Sequence, residues 1–170
     1  MAKEPQNESE NLPDEVRWFL RRADGFLDLG MTREAREELE RVPVNFRATP
    51  ACRVERLRLA FAEKDWLGAA EIAGLLRDQF PQEPGFWVEL AFAKRRAEGV
   101  EVARHILSEA LVRFPKIATI PFNLACYECQ LGRHDEAMGK LRLAFALDGK
   151  FRDAALEDED LKPLWEKLGA

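Results

Sequence analysis

Apolar residues recur at three- and four-residue steps along most of the chain, which is the spacing of one face of an α-helix. Leu20, Ala23 and Leu27 form one such row, and a second row starts at Ala35. Between the two rows stands Gly30, a residue suited to the left-handed conformation that ends a helix and lets the chain reverse. The pattern therefore predicts pairs of amphipathic helices that are joined by tight turns.

This apolar pattern repeats every 34 residues. Four positions of the pattern recur in four successive copies: Ala35, Ala69, Ala103 and Ala137; Ala23, Leu57, Ala91 and Ala125; Leu20, Val54, Val88 and Phe122; and Leu39, Ala73, Leu107 and Leu141. A helix hairpin cannot bury its apolar face alone, so neighbouring copies must stack. The period predicts four copies, at about 16–49, 50–83, 84–117 and 118–150, within a repeat region that spans 13–150.

The two ends of the chain fall outside the period. Beyond Gly149, the apolar residues Phe151, Ala155, Leu161 and Leu164 predict one or two short amphipathic helices over 151–170. Repeat arrays need such a cap to cover their last apolar face. Residues 1–12 are predicted to form a disordered acidic lead.

Within the third copy, Trp87 opens the first helix, small residues stand at Ala91 and Ala103, and Pro115 closes the copy. A 34-residue helix–turn–helix unit with these residues resembles the tetratricopeptide repeat (TPR), and the resemblance covers roughly 16–150. The segments IPFNLACYECQLG and ALEDEDLKPLW are also similar to small bacterial TPR proteins of unassigned activity. The resemblance implies an all-α, right-handed α-solenoid of about four repeats with a C-terminal capping helix.

Three arginines depart from the family pattern. Arg53 stands at the position that Phe19 and Trp87 hold in other copies, and Arg22 and Arg56 stand where the family usually has an apolar residue.

Charge and cysteine content narrow the class of protein. The formal net charge is −5, but it is carried by the acidic ends, and residues 16–150 have a net charge of +2 from 22 basic and 20 acidic residues. This distribution argues against a nucleic-acid interface. The sequence lacks the apolar stretch of a secretory signal or a membrane span. Three cysteines without framework spacing fit a reducing compartment, so we expect a cytoplasmic protein.

By similarity to the TPR family, the first helix of each copy lines a concave groove, in which residues four and then three positions apart share a face. The predicted groove residues are Leu20, Asp24 and Leu27; Val54, Arg58 and Phe61; Val88, Phe92 and Arg95; and Phe122, Cys126 and Cys129. Such a groove is apolar, with acids at its first-copy end and arginines at its centre. The alternative is that these residues only fill the space between neighbouring helices.

The resemblance implies an adaptor or scaffold that holds a peptide or helix of another protein in this groove. The arginines favour an acidic, partly apolar partner segment. The expected state is a monomer or a weak homodimer, with no cofactor, no metal and no membrane. An alternative function is that of a small dimeric chaperone, which would bind an apolar secreted protein.

Two sets of side chains suggest chemistry, although we do not expect an enzyme. Cys126 and Cys129 have the spacing of a redox pair or half a metal site, but Cys126 lies well inside its helix, so two small buried thiols are the favoured interpretation. Glu101, His105 and Ser108 share a helix face in the order acid, base and nucleophile. They lie on a second helix without a cleft or oxyanion donors, which disfavours catalysis.

Overall fold

The computed structural model describes residues 12–169, which fall into two compact units that divide between Gln79 and Phe80. The predicted acidic lead lies outside the described residues except for Leu12, whose side chain is buried in unit 1. Among the described residues, no helix has the length and apolarity that a bilayer crossing demands.

Unit 1 contains two helix hairpins. Helix α1 spans Asp14–Asp28 and α2 spans Thr32–Arg41; a short 3₁₀ helix, Val44–Phe46, leads to α3 over Pro50–Ala62 and α4 over Trp66–Gln79. The helices of each hairpin pack against each other, and α3 also contacts α1 and α2. The core of unit 1 is therefore built between consecutive hairpins, as expected for stacked repeats.

Unit 2 contains two further hairpins. They consist of α5 over Pro84–Ala97, α6 over Val100–Arg113, α7 over Thr119–Gln130 and α8 over His134–Leu147. Proline begins α5 as it begins α3, at the turn of a helix that needs no backbone N–H donor. Helix α7 contacts both α6 and α8. It is therefore the most enclosed helix of unit 2, and nearly all of its side chains are buried.

A C-terminal segment completes unit 2. It comprises α9 over Phe151–Glu157, a 3₁₀ helix over Glu159–Leu164 and α10 over Trp165–Leu168. The 3₁₀ helix packs against α7. The side chains of Leu161 and Leu164 are fully buried in the core of unit 2, so this segment is part of that core.

The hairpin turns use a residue with positive φ. Gly30, at 71°, follows α1 and Gly132, at 74°, follows α7, which confirms the helix-ending role that the sequence predicts for glycine. After α3 the same conformation is adopted by Lys64, at 59°, and its N–H donates to the carbonyl of Phe61 at 3.1 Å. The turn between α3 and α4 therefore places a lysine in a conformation that favours glycine.

Alanine occupies one buried position on the second helix of each hairpin. The four alanines of one repeat register are completely buried: Ala35, Ala69, Ala103 and Ala137. Because alanine ends at Cβ, it lets two helix backbones come close, and a larger side chain at these positions would overpack the core.

Candidate protein-binding faces

The first helices of unit 1, α1 and α3, form one candidate face, called here the α1/α3 face. The guanidinium group of Arg58 lies at its centre and pairs with three carboxylates. It contacts Asp24, its Nη2 lies 2.7 Å from Oδ1 of Asp28, and its Nη1 lies 3.3 Å from Oε2 of Glu55. Three acids around one arginine give this cluster a net negative charge, so Arg58 does not make the face basic.

Glu55 is the least solvated acid of this cluster. Burial, together with the nearby carboxylate of Asp28, raises the pKa of Glu55 to about 7. The contact with Arg58 opposes this shift, but the guanidinium also serves Asp24 and Asp28. Burial therefore dominates the pKa of Glu55, because its side chain is only 17% exposed and shares its cation with two other acids.

The apolar residues predicted for the α1/α3 face divide into two groups. Leu20 is buried in the core of unit 1, where it packs between helices. Leu27, Val54 and Phe61 are half-buried, and the ring of Phe61 lies 6.5 Å from that of Trp66. The half-buried residues are the ones with surface left to offer to a partner.

The first helices of unit 2, α5 and α7, form the second candidate face, called the α5/α7 face. Arg95 of α5 forms an ion pair with Asp160 of the C-terminal segment, with 2.7 Å between Nη2 and Oδ2, and its guanidinium lies 5.4 Å from the ring centre of Tyr127. Phe92 is 38% exposed, and the guanidinium of Arg96 lies 3.9 Å from its ring centre. An exposed aromatic ring beside arginines suits the binding of an acidic, partly apolar segment.

The C-terminal segment lies over the residues of α7 that the sequence assigns to the groove. The Cys126 thiol lies 3.5 Å from Oδ2 of Asp158, and the ring of Phe151 lies 4.7 Å from that of Phe122. Phe122, Cys126 and Cys129 are all buried. The segment that we expected to cap the last repeat thus covers these predicted groove residues. The remaining predicted groove residue of unit 2, Val88 on α5, is half-buried.

The sequence pattern does not show which side chains of the C-terminal segment make these contacts. The acids Asp158 and Asp160 reach α7 and α5, while Leu161 and Leu164 enter the core. Asp158 also accepts a hydrogen bond from the backbone N–H of Asp160 at 2.9 Å, which fixes the start of the 3₁₀ helix. The sequence does contain a pattern that could have indicated these contacts, since two acids are followed by two leucines three residues apart. The acids can form polar contacts, and the leucines can pack into a core.

Two buried glutamates form a second set that the sequence did not reveal. Glu38 of α2 is clamped by Arg22, with Nε 3.0 Å from Oε1, and by Arg41, with Nη1 3.1 Å from Oε2. Arg22 was predicted as a departure from the family pattern, and its guanidinium also lies 4.5 Å from the ring centre of Trp18. A buried carboxylate therefore explains why a cation replaces an apolar residue there.

Glu128 of α7 is held in the same way in unit 2. Arg104 and Arg133 each place Nη1 within 3.4 Å of one of its carboxylate oxygens. In each clamp at least one arginine comes from outside the helix that carries the buried carboxylate: Arg22 on α1 for Glu38, and Arg104 on α6 for Glu128. Pairing a buried carboxylate in this way costs less than leaving it unpaired.

The cysteine pair has the environment of buried thiols. Burial, reinforced by the carboxylate of Asp158, raises the pKa of Cys126, and burial also raises the pKa of Cys129. A raised pKa keeps both sulfurs in the weakly nucleophilic thiol form. The three cysteines are free and buried, which confirms the favoured interpretation of this pair as buried thiols.

The acid, base and nucleophile row on α6 has other partners. Glu101 pairs with Arg104 and Arg133, His105 lies 3.2 Å from Glu109, and the hydroxyl of Ser108 donates to the carbonyl of Arg104 at 2.8 Å. None of these contacts joins the three side chains to one another. Residues 12–169 contain no group of three or more acidic, histidine or cysteine side chains placed to hold a metal ion.

Comparisons with known proteins extend the description of the fold. No protein-family model matches the sequence, and no curated protein matches it either. Among solved structures, the thermophilic TPR protein TTC0263 of Thermus thermophilus is similar with a TM-score of 0.67 and 20% identity, over 91% of this chain and 83% of that one.

Two other solved structures are similar to a comparable degree. The protein MamA aligns with a TM-score of 0.67 and 16% identity, over 92% of this chain and 87% of that chain. A chain of the APC/C hetero-tetramer Cut9–Hcn1 aligns with a TM-score of 0.65 and 16% identity, over 88% of this chain but only 29% of that one. These similarities confirm the predicted fold class: the chain has the TPR fold, with about four hairpins and a C-terminal capping segment.

Proposed function

We propose that this chain is a protein-interaction adaptor that holds a segment of another protein against the first helices of its hairpins. The candidate surfaces are the α1/α3 face and the exposed part of the α5/α7 face. The TPR fold of the structural neighbours supports a protein-binding role in general, and one neighbour is a chain of a hetero-tetramer.

One observation carries the proposal more than the others: the α5/α7 face already holds a helical segment of polypeptide. The C-terminal segment presents an acid to Arg95 and two leucines to the core, and this combination is the chemistry that we expect of a partner. A face that accommodates such a segment within the chain is complementary to an acidic, partly apolar segment. Phe92 and Arg96 extend this surface towards solvent on α5.

Site-specific photo-crosslinking tests which surface meets a partner. One variant carries a photo-reactive residue at position 92 of α5, and a matched variant carries it at position 112 of α6, where Val112 is 84% exposed. After irradiation in the native cell, we expect a partner protein attached at position 92 and absent from position 112. Attachment at position 112 alone would place binding on the second helices and would reject the proposal.

The identified partner then allows the chemistry to be tested. We expect Arg96→Glu to weaken binding, because an attractive charge beside the Phe92 ring becomes repulsive. The matched control is Arg113→Glu on α6, which reverses another exposed arginine of unit 2 and should leave affinity unchanged. Affinity should also fall with rising salt, since the screening length is only about 8 Å at physiological ionic strength.

The alternative function is a small chaperone for a secreted protein. Exposed apolar side chains on the second helices favour it, chiefly Leu67 on α4, which is 69% exposed, and Val112 on α6. A chaperone of this kind should be a dimer and should bind its ligand more strongly as salt rises. Light scattering of the purified chain and a salt series with the crosslinked partner distinguish the two functions.

A further inference from the structure

A second surface of unit 2 is an open cleft of about 490 Å³ between α8 and the C-terminal segment. Its volume lies within the range of ligand-binding pockets. Three helices line it, and each contributes one cation beside an apolar residue: Arg142 with Met138 on α8, Arg152 with Leu156 on α9, and Lys167 with Leu168 on α10. The cleft is therefore lined by apolar side chains together with three cations.

The three positive charges of the cleft are not balanced within the described part of the chain. Arg142, Arg152 and Lys167 form no ion pair with any residue between 12 and 169. Arg152 lies over the ring of Phe145, with 5.1 Å between the guanidinium carbon and the ring centre. This stacking holds one cation at the edge of the cleft without neutralising it.

The absence of acids from the cleft contrasts with the composition around it. Residues 151–170 contain six acids, yet none of them is among the described lining residues. Asp158 and Asp160 are directed to α7 and α5, and Glu159 pairs with Lys162 at 3.4 Å. Among the described residues, the lining of the cleft therefore contains two cations of this segment, Arg152 and Lys167, and none of its acids.

The arrangement also indicates the kind of ligand. Three cations on three different helices match several negative charges distributed along a ligand, whereas a fatty acid carries a single carboxylate at one end. The apolar lining residues favour a ligand that also carries apolar groups. A polypeptide with alternating acidic and apolar side chains has both properties, and its carboxylates would form charge-assisted hydrogen bonds with arginine.

We propose that this cleft is a second protein-binding site, which takes an acidic segment of a partner protein. The carboxylates of that segment pair with Arg142, Arg152 and Lys167, and its apolar side chains pack on Met138 and Leu156. This inference goes beyond the proposed function, which uses the first helices α1, α3, α5 and α7. It assigns a role to the last hairpin and to the outer side of the capping segment.

The methionines provide a local readout. The chain has three methionines. Met138 lines the cleft, and Met31 lies between α1 and α2 in unit 1. With isotope-labelled methionine methyl groups in the full chain, binding in the cleft should shift the nuclear magnetic resonance signal of Met138 and leave that of Met31 in place. The probe is the peptide acetyl-Asp-Phe-Asp-Asp-Leu-Leu-Asp-amide, and its control has asparagine in place of each aspartate.

We expect the aspartate peptide to shift the Met138 signal saturably and the asparagine peptide to do so at least about tenfold more weakly, because the latter cannot form ion pairs. The double variant R142E and R152E should lose the shift. The matched double variant R113E and K116E, whose side chains are exposed on α6 and the loop after it, should keep it. Circular dichroism and the unchanged Met31 signal verify that each variant is folded.

Several results would overturn the proposal. Equal shifts with both peptides, or an undiminished shift in R142E/R152E, would show that the cations do not select the ligand. A shift with laurate but not with the aspartate peptide would make the cleft a site for a lipid-like anion. A Met138 signal that moves with protein concentration alone would show that a second copy of the chain covers the cleft.

The two proposals can fail separately. Loss of peptide binding in R142E/R152E but not in Arg96→Glu supports the cleft and says nothing against the α5/α7 face. Loss in Arg96→Glu alone places the peptide on the α5/α7 face and rejects the cleft.

Discussion

Units 1 and 2 are each built from two helix hairpins, but they differ in what lies over their first helices. In unit 2, the C-terminal segment covers α7 and supplies an acid to Arg95. Within the described part of unit 1, the acids around Arg58 come from the first helices themselves, Asp24 and Asp28 of α1 and Glu55 of α3. The first helices of both units therefore carry an arginine that is paired with acids, and these acids come from different sources.

This difference bears on where a partner segment is accommodated. The acids around Arg58 belong to helices that form the core of unit 1. The acid that pairs with Arg95 belongs to the C-terminal segment, whose Leu161 and Leu164 are fully buried in the core of unit 2. On the α5/α7 face, Phe92 and Arg96 remain exposed, and they are the side chains that we propose a partner contacts.

The largest expected effect tests whether the C-terminal segment is part of the core of unit 2. Leu164 is completely buried, and Leu164→Ala should destabilise the chain by about 2–5 kcal/mol, since it removes buried methyl groups and leaves a cavity. The matched control is Leu156→Ala in the same segment, where the side chain is 44% exposed and the cost should be small. Urea denaturation followed by circular dichroism measures both, and equal midpoints would mean that the segment is only loosely attached.

The next effect tests a feature that both units share. Ala103 in unit 2 and Ala35 in unit 1 occupy the same register and are completely buried. Leucine at either position should overpack the helix crossing and cost about 1–3 kcal/mol. Val102→Leu, at an exposed neighbouring position, is the control and should be nearly neutral. The melting temperatures of the variants and the parent chain measure these effects. An unchanged melting temperature for Ala103→Leu would contradict the assignment of this register to the helix crossing.

Periodicity predicted the helix hairpins and the alanines at their crossings because these features depend on local spacing and on side-chain size. Glycine at the turns was predictable for the same reason, as Gly30 and Gly132 show. The cap over 151–170 was also expected, from its leucines. All of these features can be recognised from the spacing of residues within one repeat or within the C-terminal segment.

The contacts of the candidate faces depend instead on residues far apart in the sequence. Asp160 lies 65 positions after Arg95, and nothing in the repeat pattern links the two. Similarly, the sequence marks Arg22 as a departure from the repeat but does not identify Glu38 as its partner. Charged side chains are long and flexible, so their partners are determined by the packed structure and not by the periodicity.

A third prediction concerns the pH dependence of unit 1. The pKa of Glu55 is raised from 4.5 to about 7, so between these values the folded chain keeps a proton that the unfolded chain loses. The folded state then binds more protons, and stability falls as pH rises through this interval. We expect a loss of about 1–2 kcal/mol, since a shift of one pKa unit corresponds to about 1.4 kcal/mol and the contact with Arg58 opposes burial.

Glu55→Gln should remove this pH dependence, whereas Glu71→Gln at an exposed position of α4 should preserve it. Urea midpoints measured at several pH values between 4.5 and 7 provide the comparison. A rise of stability with pH that is larger in the parent chain than in Glu55→Gln would show that Arg58 outweighs burial. Equal pH profiles of the two chains would show that Glu55 has the same pKa in the folded and unfolded states.

The smallest expected effect compares one turn of unit 1 with one turn of unit 2. Lys64 and Gly132 have the same left-handed conformation after the first helix of a hairpin, with φ of 59° and 74°. A side chain is strained in this conformation and glycine is not, so Lys64→Gly should stabilise the chain by roughly 0.5–1 kcal/mol. Gly132→Ala should destabilise it by a similar amount, although a Cβ at Gly132 meets no atom within 4 Å, because the strain lies in the backbone.

Lys64→Ala controls for loss of the lysine charge and should change stability less than Lys64→Gly does. Thermal melting of these variants would contradict the argument if glycine and alanine at position 64 gave the same stability.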